Sequence, residues 1–345
     1  MMKSILAAGA LALAATTGTA LAAEKLVMQS IYPSSLPLLG DSGKNLSERV
    51  KRLTGGELEI EFNEPGAIVG GNEIWDAVST GAVDAGWYSP GFADSIIPAA
   101  AIFTAVPFGP GVKEYTAWWY RGGGKELWAE LTEGPYNIHT ELCSVLVPEA
   151  SGWFREPITS VEQLKGTKMR IFGLGAQVMG KLGVQAQNMP PADTMTALRL
   201  GTIDAAEISF PAIDKALGMP DHAKNYYFPG WHQQTSLIVF IANKDRWDAL
   251  PDQQKAAIEE VCAANVTLTM AQGEAIQLEP LDDMVKNQGV TVHQWSPEMM
   301  DAFRSAWDEV AKEKAEADPG FAKAYQSLTD FREKYKRWSE LGYMK

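Results

Sequence analysis

The sequence predicts an α/β protein of two lobes, with crossing hinge strands, a cleft between the lobes and a long C-terminal helix. Three observations predict it. Extended apolar runs alternate with helical segments through the first two thirds of the chain, which is the pattern of α/β domains. The stretch VSTGAVDAGWYSP (78–90) returns 120 residues later as LRLGTIDAAEISFP (198–211). In both, helix-forming residues stop at a glycine (Gly81, Gly201), a β-branched residue follows two places on (Val83, Ile203), and Asp-Ala comes next (Asp84-Ala85, Asp204-Ala205). Finally, 345 residues at 46% hydrophobic are enough for two cores.

Taken in order, residues 1–22 read as a secretory leader: Lys3, the apolar run Ile5 to Ala15, and the exit Ala20-Leu21-Ala22. The run is too short to span a membrane, so the chain is expected in the periplasm. Lobe 1 is expected over 23–148. KLVMQSIY (25–32) is a strand, 39–56 a helix stopped by Gly55-Gly56, ELEIEF (57–62) an alternating strand, GNEIWDAVSTG (71–81) a helix, and AVDAGWYSP (82–90) a strand.

Lobe 2, over 149–250, replays that order. A strand from Lys168 to Phe172 is matched to ELEIEF; a helix (174–183), a strand (184–189), a helix from Pro191 to Gly201 and the strand TIDAAEI (202–208) follow. NIHTELCSVLVPEASGWFREPI (137–158) and GWHQQTSLIVFIANKDRWDAL (230–250) read as long extended segments that cross between lobes, and a hinged cleft encloses a small molecule. From Pro251 the chain reads as helical. In its last helix Phe321, Tyr325, Leu328, Phe331, Tyr335 and Trp338 form one stripe, docked on the chain's own lobes or shared with a second copy. Cys143 falls in a strand and Cys262 in a helix, and both are expected as separate buried thiols.

A net charge of −13 argues against nucleic acid and anionic membranes as partners. Signatures of catalysis are weak. RGGGKELW (121–128) places Glu126 where a phosphate loop needs Ser or Thr, and GLGAQVMG (173–180) lacks dinucleotide-turn spacing. His139, His222, His232 and His293 show no metal-ligand spacing, and no Gly-x-Ser-x-Gly elbow occurs.

Against that acidic background, Arg170 in KMRIFGLG stands out. It lies at a strand end before a Gly-rich turn, where a guanidinium grips a carboxylate bidentately or pairs with a structural acid. Glu207 leaves its strand at the position of Trp87 in the first half; it and Glu149 are candidates for a metal, a ligand hydroxyl or Arg170. The aromatics Trp87, Tyr88, Phe92, Phe154, Phe210 and Trp231 gather at strand ends, either as core or as a cavity lining.

These residues belong to longer matching stretches: TGGELEIEFNEPGAIVGGNEIWDAVSTGAVDAG, AVPFGPGVKEYTAWWYRGGGKELWAEL, SGWFREPITSVEQLKGTKMRIFGLG, LRLGTIDAAE, YYFPGWHQQTS and FREKYKRWSELGY. Through them the chain resembles the DctP-type periplasmic solute receptors of TRAP (tripartite ATP-independent periplasmic) transporters, in the branch similar to 2-oxo acid and lactate receptors. The resemblance implies a non-enzymatic receptor whose cleft closes on an organic carboxylate and delivers it to membrane permease subunits. It implies that Arg170 grips the carboxylate, that Glu149, Glu207 and Gln233 hold a Ca²⁺ or Na⁺ ion touching the ligand, and that the terminal helix forms a homodimer.

Tyr88, Phe210 and Trp231, with Trp87 beside them, are expected to pack the ligand's body. The chain departs from that branch at Glu149 (more usually Gln), Ile208 (Trp) and Gln233 (often Glu). Loss of a Trp at Ile208 makes room for an aromatic acid such as a hydroxybenzoate, held by carboxylates that accept from its hydroxyls. A secreted enzyme using Glu207 or Glu149 as base, and a sensor for a signalling partner, are the alternatives.

Overall fold

The computed structural model describes residues 23–187, 189 and 191–344, and the expected leader lies outside them. The first half contains β1 (Glu24–Ser30), α1 (Asp41–Leu53), β2 (Leu58–Asn63), α2 (Ile74–Ser79), β3 (Ala85–Tyr88), α3 (Val112–Arg121), α4 (Gly124–Tyr136) and β4 (Ile138–Leu146). The second brings β5 (Gly152–Phe154), β6 (Lys168–Arg170), α5 (Gly173–Lys181), β7 (Gln185–Gln187), α6 (Pro191–Leu200), β8 (Ala205–Ala206), α7 (Pro211–Ala216), β9 (Asn225–Phe228), β10 (Ser236–Asn243) and α8 (Lys244–Ala249). The remainder is α9 (Asp252–Ala275), α10 (Leu278–Asn287), β11 (Thr291–Gln294), α11 (Pro297–Ala317) and α12 (Pro319–Gly342). Among the described residues no helix is long and apolar enough to cross a membrane.

Two sheets form, ordered β2-β1-β3-β10-β4 and β11-β9-β5-β8-β6-β7. The chain crosses directly from strand to strand between them at 147–151 and at 229–235, and a third time through the helical stretch from β10 to β11. β10 therefore returns to the first sheet, and β11, a strand the sequence reading took as helical territory, closes the edge of the second.

The internal echo is a topological repeat. β1 lies between β2 and β3, parallel to both, and β6 lies between β7 and β8, parallel to both. In each lobe the third strand then meets a strand that adjoins a crossing, β10 or β5, in antiparallel fashion. This corrects one correspondence: the strand of Arg170 is the equivalent of β1, not of ELEIEF, whose edge position belongs to β7. The repeated Asp does the same work twice. Asp84 Oδ2 accepts from the backbone N–H of Val27 at 2.8 Å, and Asp204 Oδ2 from that of Lys168 at 2.9 Å. Each carboxylate thereby ties the start of the third strand to the first. Gly81 and Gly201, at φ +77 and +70, supply the left-handed turn that ends the preceding helix.

Cys143 and Cys262 form a disulfide, which corrects the expectation of separate thiols. β4 is covered by α9, and that packing faces the two side chains across 119 residues of sequence. The stripe on α12 divides. Phe321 and Leu328 are buried on the chain's own helices, whereas Trp338 is 60% exposed near the end.

Candidate functional site

Arg170 ends β6 and Glu207 directly follows β8, so adjacent parallel strands deliver both side chains to one end of the second sheet. Arg170 Nη1 donates to Glu207 Oε2 at 3.0 Å and to the Glu207 carbonyl oxygen, while Nε donates to the Met189 carbonyl at 3.1 Å. Nη2 makes no hydrogen bond among the described residues. Glu207 Oε2 also accepts from the backbone N–H of Phe172 at 3.3 Å.

Glu149 and Gln233 come from the two direct crossings, which are bonded to each other. Glu149 N–H donates to the Gln233 carbonyl at 3.2 Å, and Gly230 N–H to the Glu149 carbonyl at 2.9 Å. Only glycine fits at position 230, because a Cβ there would collide with the Glu149 carbonyl. Glu149 Oε1 accepts from the Ser209 hydroxyl at 2.9 Å, and its Oε2 is buried without a hydrogen-bond partner among the described residues.

The electrostatics separate the two acids. Burial pushes Glu149 well above the usual carboxylate range, and the nearby charge of Glu207 pushes it further. Burial also opposes ionisation of Glu207, but the Arg170 guanidinium and His232 outweigh it and hold the group down at about 2. His232, buried with both ring nitrogens unpartnered among the described residues, stands 3.6 Å from Glu207 Oε1 through Nε2. Among the described residues, Glu149, Glu207 and His232 have ligand atoms close enough together to share a metal ion. The orphaned oxygen of Glu149 and the open nitrogens of His232 fit a cation, and oxygen donors from two carboxylates suit Ca²⁺.

Arg170, Glu149, Glu207 and Gln233 line one cavity of about 550 Å³, whose opposite wall is the first lobe at Tyr32, Ser89 and Phe92. The sequence reading of the aromatics is corrected for four residues. Trp87, Tyr88, Phe210 and Trp231 are absent from the lining and buried in the core. Trp87 Nε1 donates to the Leu39 carbonyl at 2.6 Å, and Trp231 stacks on Phe303 with ring centres 4.7 Å apart. β3 lies inside its sheet with both faces covered, so neither of its aromatics reaches the cleft. Phe154 is likewise core, while Phe92 does line the cavity.

Among the lining residues that escaped sequence reasoning, Tyr32 follows β1, Ser209 lies near the end of the echo, and Phe172 sits two places beyond Arg170. His232 escaped it as well, because its neighbour Glu207 is 25 residues away and no motif spacing links them.

A family model described as DctP, bacterial extracellular solute-binding protein, family 7, matches residues 29–318. The chain is 32% identical over 316 residues, 91% of its length and 85% of the relative's, to the monocarboxylate 2-oxoacid-binding periplasmic protein all3028 of Nostoc sp.. It is similar, at a TM-score of 0.89 and 32% identity, to a TRAP transporter solute-binding protein of Bordetella bronchiseptica, covering 93% of this chain and 95% of that one. That protein is a mixed-occupancy dimer with copurified calcium and picolinate in one active site. A periplasmic solute-binding protein of Pseudoalteromonas atlantica with bound sodium and pyruvate gives 0.88 and 29%, covering 93% and 97%. One of Colwellia psychrerythraea with bound calcium and pyruvate gives 0.87 and 29%, covering 93% and 98%.

Proposed function

The chain belongs to the DctP family of bacterial extracellular solute-binding proteins, and on that premise we propose that it is the periplasmic receptor of a TRAP transporter for a small 2-oxo or 2-hydroxy monocarboxylate. The observation that carries this reading is a buried guanidinium on the wall of an interlobe cavity whose Nη2 is left unbonded among the described residues. Arg170 binds the ligand carboxylate there through a charge-assisted hydrogen bond. Glu207 orients it from the other side through Nη1.

Bringing an anion beside two carboxylates calls for a balancing charge. An incoming cation displaces the proton that burial and Glu207 otherwise hold on Glu149; with Arg170 at +1, and Glu149, Glu207 and the ligand then each at −1, the buried set sums to −2, which a divalent cation neutralises. Glu149, Glu207 and Gln233 would hold that ion, with His232 in reach of the same place. A bound ion supplies a Lewis-acidic contact for the ligand's oxygens.

Closure of the lobes about the two direct crossings then traps the ligand, and the closed form is what the membrane permease subunits recognise. The protein binds without turnover. The exposed Trp338 end of α12 leaves room for a second copy, so the receptor forms a homodimer through its terminal helix.

A thermal-shift screen of organic acids tests the reading, because a ligand that binds only the native state raises the melting temperature. Pyruvate and lactate should raise it, and EDTA should abolish the shift. If no monocarboxylate shifts the transition under either condition, the reading fails.

A further inference from the structure

The charged side chains that line the cavity, Glu149, Arg170 and Glu207, reach it from the second lobe and from a direct crossing, so the charge stands on one side. The facing wall, drawn from residues between 31 and 92, is mainly apolar and carries polar side chains at Tyr32, Ser35, Asn72 and Ser89. Ser35 and Asn72 are exposed. Ser89 is buried, and its hydroxyl donates to the Leu237 carbonyl at 3.1 Å, which commits its proton to the protein. Tyr32 is the buried-wall group with a proton to offer a ligand.

The local structure holds Tyr32 in that position. The Ser30 hydroxyl at the end of β1 clamps both of its backbone groups, accepting from the Tyr32 N–H at 3.0 Å and donating to the Tyr32 carbonyl at 2.7 Å. The ring meets Phe92 edge-on with centres 6.3 Å apart. Its hydroxyl is hydrogen-bonded to that of Ser89, and the charges of Glu149 and Arg170 act on it across the cavity. Because the Ser89 proton is turned to Leu237, the phenol is the donor of that pair, and a ligand oxygen competes with Ser89 for its proton. Burial raises the phenol above its ordinary range, so it stays a neutral donor at physiological pH.

Resting on the receptor reading above, we infer that Tyr32 is a specificity-determining residue: its hydroxyl donates across the cleft to the oxygen on C2 of the bound acid. The ligand's carboxylate is matched in charge by Arg170 and the proposed ion. What a 2-oxo or 2-hydroxy acid still presents is a neutral oxygen, and the facing lobe meets it with a neutral donor. A site built to bond such an oxygen discriminates against an acid that lacks it, because the donor is then left without its partner. Recognition of the C2 oxygen thereby requires both lobes, since the carboxylate is held by one and this oxygen by the other.

Tyr32→Phe keeps the ring on Phe92 and removes only the hydroxyl. Calorimetric titration of the full mature protein and of this variant, in millimolar Ca²⁺, with pyruvate and with propanoate, which lacks the C2 oxygen, tests the inference. The variant should bind pyruvate about fivefold or more weakly, while its affinity for propanoate, read by displacement of pyruvate, should change by less than about twofold. Equal losses for the two acids, or an unchanged affinity for pyruvate, overturn the inference and leave the receptor reading standing; failure of pyruvate and lactate to bind the native protein overturns both. A spectroscopic arm does not depend on the affinities. The infrared carbonyl band of bound pyruvate labelled with ¹³C at C2 should move to higher frequency in Tyr32→Phe, because a donor at the oxygen weakens the C=O bond. A band at the same frequency in both proteins removes Tyr32 from that oxygen.

Discussion

Arg170 Nη1 lies 3.0 Å from Glu207 Oε2 with both side chains buried, so the guanidinium is half committed to the protein and half available. A lysine at this position keeps a charge for Glu207 but loses the planar fork that reaches Glu207, the Met189 carbonyl and a ligand together. Arg170→Lys should therefore lower affinity for a monocarboxylate about tenfold or more, and Arg170→Ala by about 10- to 100-fold. Titration calorimetry measures both, with the melting temperature of the unliganded variants as control. Unchanged affinity in either variant would take Arg170 out of the ligand site.

In the proposed site Glu149, which burial keeps protonated without a cation, ionises as the ion binds and so sets the charge the ion must balance. Replacing it with Gln keeps an oxygen for Ser209 and removes one negative charge from the buried set. In Glu149→Gln the sum over Arg170, Glu207 and the ligand is −1, which a monovalent ion balances. The ligand-induced thermal shift should then persist in Na⁺ with EDTA present, where the native protein's shift is lost. If EDTA abolishes the shift equally in both proteins, the charge of Glu149 does not choose the ion.

Asp214, within reach of the charges of Glu149 and Glu207, predicts a pH dependence of stability. It is buried, accepts from Trp153 Nε1 at 2.8 Å and Tyr226 Oη at 2.7 Å, and burial raises it to about 7. The unfolded chain loses this proton near 3.9, so the native state binds more protons between the two values. Stability falls as pH rises through that window, by about 1.4 kcal/mol per pH unit, and levels off above about 7. Asp214→Asn retains an acceptor for both donors without the buried charge. Its melting temperature should exceed that of the native protein by a margin that widens from pH 5 to pH 8. Parallel curves would mean that Asp214 titrates normally.

What could be read beforehand follows the range of the interactions. The Gly81 and Gly201 turns and the Asp84 and Asp204 carboxylates act within a few residues or between neighbouring strands, and their echo in the sequence reports a real repeat. Arg170 and Glu207 were legible because a strand end before a turn is a local pattern. The match of KMRIF to ELEIEF failed because edge and centre strands differ in their partners, which a run of letters does not display. Trp87 and Tyr88 look identical to cleft residues in sequence, and only the coverage of β3 on both faces sends them into the core. The Cys143–Cys262 bond depends on α9 lying across β4, a contact with no local trace.

That bond carries a stability prediction of its own. It closes a long loop between β4 and α9, constraining the unfolded state. Reduction, or replacement of both cysteines by serine, should cost about 2–4 kcal/mol and lower the melting temperature by several degrees. Denatured native protein should show no free thiol until a reductant is added. Two titratable thiols without reductant would contradict the pairing.

Gly91 tests lobe closure. It follows β3 in the first lobe, and a Cβ built on it would stand 2.9 Å from Phe172 Cζ of the second lobe and 2.9 Å from Thr104 Oγ1. Its backbone is outside the left-handed region, so alanine brings no conformational strain and the whole effect is steric. The added methyl wedges Phe172 away from Phe92, whose ring contact joins the two lobes across the cavity. Gly91→Ala should therefore weaken ligand affinity severalfold or more, with little change in the melting temperature of the unliganded protein. Because the clash is with the ring tip, shortening the side chain relieves it, and the double variant Gly91→Ala with Phe172→Leu should bind better than Gly91→Ala alone. Additive losses in that pair would place the cost of the methyl at Thr104, inside the first lobe, and detach Gly91 from closure.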